Sequence, residues 1–455
     1  MCRRSVIDRI EDAIGHRRLV WFGTRGTDAQ PLLQIRQFDG VFGLIAPLGV
    51  PSWSEDREAY LELLSGTRVD LNAYSIDADT STHVRELHRR LRKTFAPGTL
   101  VIAYRPTAFL ASAYYPRVEY TTYLGSFHGA QAAYEHKPWV ETELSARGIA
   151  TIPWKYFSED DRTVMLEWMG GRACVLRANY SDGGVGLTLV GAGEELPATI
   201  PHYGGGFLAV APLLDPNIPL NVSACVFRSG EVTVRHPSVQ LIGISACTNR
   251  RFGYCGNDFG IAADVLGESG ASELETLVRH SGKWLREQGY VGAFGVDALL
   301  YGGRICLTEI NPRFQGSSSA AASVAARIGL SDIYLDHLCA VLGLPAPEQI
   351  PLWDQAVEQA RTHFRLSQAV CYNVAAAKRM KADTIVPDVA YGEIKAMPDA
   401  GIVVQREAML FKIFATESIT ATGFDIAPWI AADIQSLTSQ LYDCAERVVP
   451  ALSEA

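Results

Sequence analysis

In the stretch "LTEINPRFQGSSS", Leu307–Ser319, an acid, an amide and a base alternate: Glu309, Asn311 and Arg313 stand two residues apart. A strand sends every second side chain to the same face, so this spacing predicts one polar face carrying all three. Twelve residues before Glu309 comes Asp297, in "GVDALL", with a Gly302-Gly303 turn between them. An antiparallel hairpin about that turn sets Asp297 opposite the Glu309–Asn311 end. Two carboxylates and an amide oxygen are a hard-donor set suited to Mg²⁺, with Mn²⁺ as the alternative ion. Arg313 beside such an ion would hold a phosphate oxygen through forked hydrogen bonds. The bland alternative is a solvated hairpin face with incidental charges. The flanking runs "GAFGV" and "ICLT" are apolar, which argues for burial, and a buried acid pair without a cation is costly.

Two weaker signals lie upstream. "NYSDGGVG", Asn179–Gly186, places Ser181, Gly183, Gly184 and Gly186 in a turn whose N–H groups could approach phosphates; a plain hairpin turn fits the same residues. No GK[ST] follows, so it is not a Walker A loop. Arg177 on the incoming strand, and Lys137 before a helix, are cations that could serve the same phosphates or simply face solvent. The loop "TNRRFGYCGNDFG" adds Arg250 and Arg251, which could bind an acid substrate or act as ordinary loop arginines.

The elements that must position these residues fall into three stretches. Residues 1–130 alternate strand-like runs ("RRLVWFG", "DGVFGLIAP", "GTLVIAYRP") with helical ones ("SEDREAYLELLSG", "STHVRELHRRLRKTF"), predicting a doubly wound α/β domain without a GxG fingerprint. Residues 131–330 read as two α+β subdomains, 131–212 and 213–330, holding the hairpin "NVSACVFRSGEVTV", the helix "ASELETLVRHSGKWLREQGY" and the Asp297–Glu309 ribbon. Residues 331–455 mix helices with strands ("QAVCYNVAAA", "GIVVQ", "LFKIFAT") and read as a C-terminal α+β extension.

Composition bounds the function classes. The 455 residues are 48% hydrophobic and 20% charged with net charge −9, and no basic stretch is present to meet a nucleic-acid backbone. Nine scattered cysteines without a CxxC pair read as reduced thiols of a cytoplasmic protein, and ten histidines show no zinc-ligand spacing. No apolar run is long enough to span a bilayer, and the N-terminus lacks an apolar signal core.

Taken in order, Lys137 before a helix, Arg177 and the glycine loop, "FLAVAPLL", the hairpin and then Asp297 with E-x-N-x-R resemble the ATP-grasp superfamily over roughly Tyr134 to Ala325. The resemblance implies an ATP-grasp fold with ATP between two α+β subdomains. It implies that Lys137 and Arg177 touch phosphates or adenine, and that the Ser181–Gly186 loop closes over the phosphates. Ala211, Pro212 and Leu213 would meet the adenine edge, Asp297, Glu309 and Asn311 would hold Mg²⁺, and Arg313 would bind the γ-phosphate and the substrate carboxylate. Two departures stand out. The family commonly has lysine where this chain has Arg177, and its hinge often has an acid for the ribose, a place Asp215 or Asn221 could take.

The chemistry implied is ATP-dependent activation of a carboxylate as an acyl phosphate, then capture by an amine. Within the superfamily the chain is similar to amino-acid and peptide ligases of natural-product pathways, including the pheganomycin-type peptide ligase. Partners would be small-molecule acids and amines or peptides, in a homodimer. Biotin-carboxylase-like and purine-pathway ligases, a phosphotransferase and a non-catalytic nucleotide-binding module remain as alternatives.

Overall fold

The computed structural model describes residues 3–47, 54, 56–158, 160–180, 183–198, 207–361, 365–381 and 392–441. The N-terminal layer is a five-stranded parallel sheet, in the order Glu58–Tyr60, Phe38–Ile45, Arg18–Arg25, Thr99–Ala103, Thr121–Tyr123. Alternation in the central strand divides two cores: Leu19 and Trp21 pack with Val6, Ile10 and Ile14 of one helix, and Val20 and Phe22 with Val84, Leu87 and Leu91 of another. Ser81 starts that second helix, Thr82–Thr94, by accepting from the Val84 N–H at 3.3 Å.

One expected helix is smaller than its sequence pattern implied. In "SEDREAYLELLSG", Glu58–Tyr60 is a strand and the helix is confined to Leu61–Ser65. Ala59 and Tyr60 are buried, and pairing beside Val41–Gly43 fixes them as an edge strand, so sheet burial overrides helical spacing.

A four-stranded antiparallel sheet follows, ordered Lys155–Ser158, Phe207–Pro212, Cys174–Arg177, Leu187–Val190. The largest sheet has eight antiparallel strands, ordered Arg304–Asn311, Gly292–Tyr301, Asn217–Val226, Val232–Ile242, Tyr254–Asp258, Ser367–Tyr372, Met409–Ala415, Gly392–Lys395. The helix Ala262–Glu287 covers it with Leu274, Val278, Trp284 and Leu285 against Val222, Val234 and Phe294.

The last three strands lie beyond residue 331. They extend the sheet of the preceding stretch through the pairing of Gly256–Asp258 with Ser367–Ala369, and Leu241, Ile244 and Cys255 share one core with Phe411, Ile413 and Ile430. The extension thus shares both sheet and core with the segment before it. The expected final helix is Pro428–Gln440, and the rest of "AADIQSLTSQLYDCAERVV" lies outside the described residues. Cys174, Cys225, Cys247, Cys255, Cys306, Cys339 and Cys371 are free thiols. Among the described residues no helix is long and apolar enough to cross a membrane.

Candidate functional site

The Asp297 and Glu309 strands form the hairpin expected from their spacing. Asp297 pairs with Glu309 and Gly295 with Asn311, with a bulge after Asp297. Four side-chain amides converge on the Asp297 carboxylate: Asn221 at 2.6 Å, Gln240 at 2.9 Å, Asn311 at 3.0 Å and Gln315 at 3.4 Å. Gln315 gets there because Gly295 has no side chain; a Cβ would lie 1.8 Å from the Gln315 amide. Burial, and next the charge of Glu309, hold the Asp297 carboxyl well above the usual range, while the amides and Arg313 pull the other way. Glu309 accepts from Lys137 Nζ at 2.8 Å. This lysine is the first residue of the helix Lys137–Ala146 and is buried.

The donor chemistry fits a hard divalent ion. Two carboxylates meet at a hydrogen-bonded strand pair, and mutual repulsion there is relieved by a cation. Asn311 gives its NH₂ to Asp297 and so keeps its carbonyl oxygen for a ligand. Lys137 partly fills the cationic role at Glu309. No group of three or more His, Cys, Asp or Glu side chains suited to a metal occurs among the described residues, so an ion here would rely on the amide oxygen as well.

These residues open on a cavity of about 580 Å³. Lys137, Arg177, Gly183, Gly184, Ala211, Pro212, Leu213, Asn221, Arg251, Asp297, Glu309, Asn311 and Arg313 all line it. Ser181 lies outside the described residues. Gly186 is not part of the lining; its carbonyl accepts from the Ala178 N–H at 3.0 Å at the base of the loop. Gly184, at φ +80°, lies so close to the Phe252 carbonyl that a Cβ would come within 2.0 Å. The glycine turn therefore rests on the loop that carries Arg251.

Two cations differ from their expected surroundings. Arg177 reaches the cavity wall, but both its terminal nitrogens bind the buried carboxylate of Glu141, one at 2.8 Å, and its guanidinium lies 4.1 Å from the centre of the Trp154 ring. Its charge is therefore met inside the protein. Arg250 is not part of the lining; its guanidinium turns to Asp70 of the N-terminal layer because that carboxylate is within contact distance. Asn221 is buried on its strand.

Several lining residues escaped the sequence reading. Gln315 continues the two-residue period of Glu309, Asn311 and Arg313 past the strand end, a signal that was there to be used. Arg25 closes the first strand of a parallel sheet, the end at which such sheets bind ligands. Gln240 and Tyr104 carry no local signal. Tyr104 stands between two guanidinium groups, 5.5 Å from Arg25 and 5.8 Å from Arg313, measured to its ring centre. Arg313 also binds Glu135 at 3.1 Å, an acid shared with Arg105 at 2.7 Å.

Comparison with known proteins bears on the fold around this cavity. Residues 169–317 match the ATP-grasp domain family. No curated protein sequence matches the chain. Among solved structures, Rhizobium etli pyruvate carboxylase aligns with TM-score 0.59 and 14% identity over 93% of this chain but only 37% of its own length. The biotin carboxylase domain of Hydrogenobacter thermophilus 2-oxoglutarate carboxylase, a dimer holding MgADP and bicarbonate, aligns with TM-score 0.59 and 14% identity over 94% of this chain and 91% of its own. Carboxyaminoimidazole ribonucleotide synthase from Aspergillus clavatus, complexed with ATP, gives TM-score 0.57 and 15% identity over 94% and 99%.

Proposed function

We propose that this chain, which has the ATP-grasp fold, is an ATP-dependent carboxylate–amine ligase that makes an amide or peptide bond through an acyl phosphate. The observation behind this reading is that Asp297, Glu309, Asn311 and Arg313 face one cavity together with Lys137 and the glycine turn. Asp297, Glu309 and Asn311 are the residues we assign to Mg²⁺. When bound, the ion would neutralise phosphate charge between ATP and the acid. Lys137 is suited to follow that charge, since its ammonium already lies beside Glu309. Ala211, Pro212 and Leu213 offer a backbone edge for adenine, and Gly183 and Gly184 offer N–H groups to phosphates.

Chemically, a carboxylate oxygen attacks the γ-phosphorus and ADP leaves. The amine then attacks the acyl carbon, phosphate leaves, and the amine gives up a proton. No side-chain nucleophile is required, so the residues mainly position two anions and screen their repulsion. Arg313 is assigned to that screening, and Arg251 to the approach of the acid. Arg177, tied to Glu141, is better suited to shaping the adenine side than to gripping phosphate.

Peptide natural-product biosynthesis remains the context we favour, on the sequence resemblance alone. A second reading takes bicarbonate as the acid and so carboxylates an amine; the bicarbonate in the Hydrogenobacter domain supports it. Hydroxylamine traps acyl phosphates as hydroxamates, so incubating the protein with ATP, Mg²⁺, hydroxylamine and pools of amino acids or short peptides tests the first reading. Hydroxamate and ADP in equal amounts are expected. ADP formation that depends on bicarbonate and gives no hydroxamate would favour the second, and no ADP with either acid would remove both. A homodimer is the assembly we propose, as in the dimeric Hydrogenobacter domain, and sedimentation tests it.

A further inference from the structure

Arg25, Asp28 and Lys412 form a buried charge cluster that the ligase reading leaves unused. Asp28 and Lys412 are each 1% exposed and Arg25 is 8% exposed. Arg25 donates from Nε to Asp28 at 2.8 Å, and Lys412 Nζ lies 3.5 Å from the other oxygen of the same carboxylate. Two cations thus share one acid. Neighbouring Lys395 has Glu393 for its own partner, at 2.8 Å. An unbalanced buried charge is expensive, and folding keeps it only where something compensates. The crowding shows in Lys412, whose pKa is pushed down to about 8 by burial and by Arg25.

Of the three residues, Arg25 alone reaches the cavity, at the end of its strand in the N-terminal layer and beside Tyr104. Lys412 stands behind Asp28, and Asp28 fixes the guanidinium through its Nε edge. That arrangement leaves a directed, pre-positioned cation in a cavity that already assigns Arg313 to the reacting carboxylate. We propose that Arg25 is a specificity-determining residue that recognises a second anionic group on the acid substrate, with Asp28 and Lys412 as its positioning residues. The substrate class is then a carboxylic acid bearing another carboxylate or a phosphate. An acid with one charge would leave the outer nitrogens of Arg25, beyond its Nε contact with Asp28, desolvated with no substrate anion to meet them, and a site built for a polar group rejects analogues that lack it.

This rests on the ligase reading. The test uses the full chain with Mg²⁺ and a non-hydrolysable ATP analogue, titrated calorimetrically with linear dicarboxylates from malonate to adipate and with monocarboxylates of equal length. Tighter binding of one or more dicarboxylates, by about tenfold over their monocarboxylate counterparts, is expected in the wild-type protein. Arg25→Met should bring that ratio close to one, and Arg25→Lys, which keeps the charge and guards against a folding artefact, should retain part of it. Equal binding of the two series by the wild-type protein, or an unchanged ratio in a folded Arg25→Met, overturns the proposal. Failure of the ATP analogue itself to bind would instead strike the ligase reading.

Discussion

The acid hairpin and the Arg25 wall face the same cavity, yet they are built on opposite plans. At the hairpin, Asp297, Glu309, Asn311 and Arg313 come from one ribbon, and a single turn sets their register. At the wall, Arg25 and Asp28 come from the N-terminal layer, and Lys412 arrives across a separation of 384 residues. The hairpin holds an excess of negative charge softened by amides, and the wall holds an excess of positive charge softened by one acid. Each half is incomplete by itself. A site that must hold an anionic acid next to a polyanionic nucleotide needs both signs, kept on different walls so that they do not simply cancel.

The largest expected effect comes from removing charge at the hairpin. Glu309→Gln should lower the rate of ADP formation by roughly a thousandfold. Its circular dichroism and melting should stay near those of the wild type, because Glu309 is 26% exposed, the glutamine keeps an oxygen for Lys137, and the lost ion pair is offset by relief of the repulsion with Asp297. Turnover within a few-fold of the wild-type rate would detach the hairpin from the chemistry.

At the wall the same kind of change should act on stability. Asp28→Asn leaves Arg25 and Lys412 buried without a carboxylate, which should cost about 3–5 kcal/mol in urea unfolding, as for other buried pairs broken on one side. A loss under 1 kcal/mol would mean that Lys412 sheds its proton at little cost, and the wall would no longer count as a charged counterpart to the hairpin.

These two regions also differ in how far the sequence discloses them. The hairpin was legible because every determinant is local: a Gly-Gly turn, period-two spacing and apolar flanks. The cap at Ser81 and the doubly wound layer were legible for the same reason. The wall was not, since nothing near Arg25 indicates that Lys412 will share Asp28. Gln240 was equally hidden, because its role comes from the pairing of neighbouring strands that sets it near Asp297. Glu58–Tyr60 was misread since an edge strand's burial is decided by the neighbour it joins. Beyond residue 365, "QAVCYNVAAA" and "LFKIFAT" do hold the strands Ser367–Tyr372 and Met409–Ala415, while their joining the site's own sheet is a long-range pairing that periodicity does not encode. "GIVVQ" holds only Val403–Val404, which pairs instead with Lys378–Arg379 and Thr67–Arg68, and Gly392–Lys395 is a strand with no expected counterpart.

His337 lies where the N-terminal layer meets the hairpin's strand and offers a gentler probe. Its Nδ1 accepts from the Ala293 N–H at 3.0 Å, and its Nε2 lies 3.1 Å from the Leu124 carbonyl, an arrangement that suits the neutral ring. Burial pushes its pKa down to about 4. A depressed histidine stabilises the fold above its unfolded value near 6.5, and this contribution is lost as the pH falls toward 4. Between pH 7 and pH 5 the wild-type protein should lose about 2 kcal/mol of unfolding free energy through this residue. His337→Gln, which keeps one donor and one acceptor, should lose correspondingly less over the same interval. His236, also buried and depressed to about 3, is common to both proteins and so drops out of the difference. Parallel pH curves for the two would place the acid sensitivity elsewhere.

The smallest effect distinguishes two adjacent arginines. Arg250 spends its guanidinium on Asp70, and Arg251 is exposed and lines the cavity. If the acid enters along that loop, Arg251→Ala should raise the KM for the acid by about tenfold, roughly the worth of one charge-assisted hydrogen bond. Arg250→Ala should change it by less than about threefold and cost no more than about 1 kcal/mol of stability, as expected for a partly exposed pair. Steady-state kinetics of the two variants measured side by side decides this. A larger effect at Arg250 would mean that the Asp70 contact opens when substrate binds, and the cation assigned to the approach would then be Arg250 rather than Arg251.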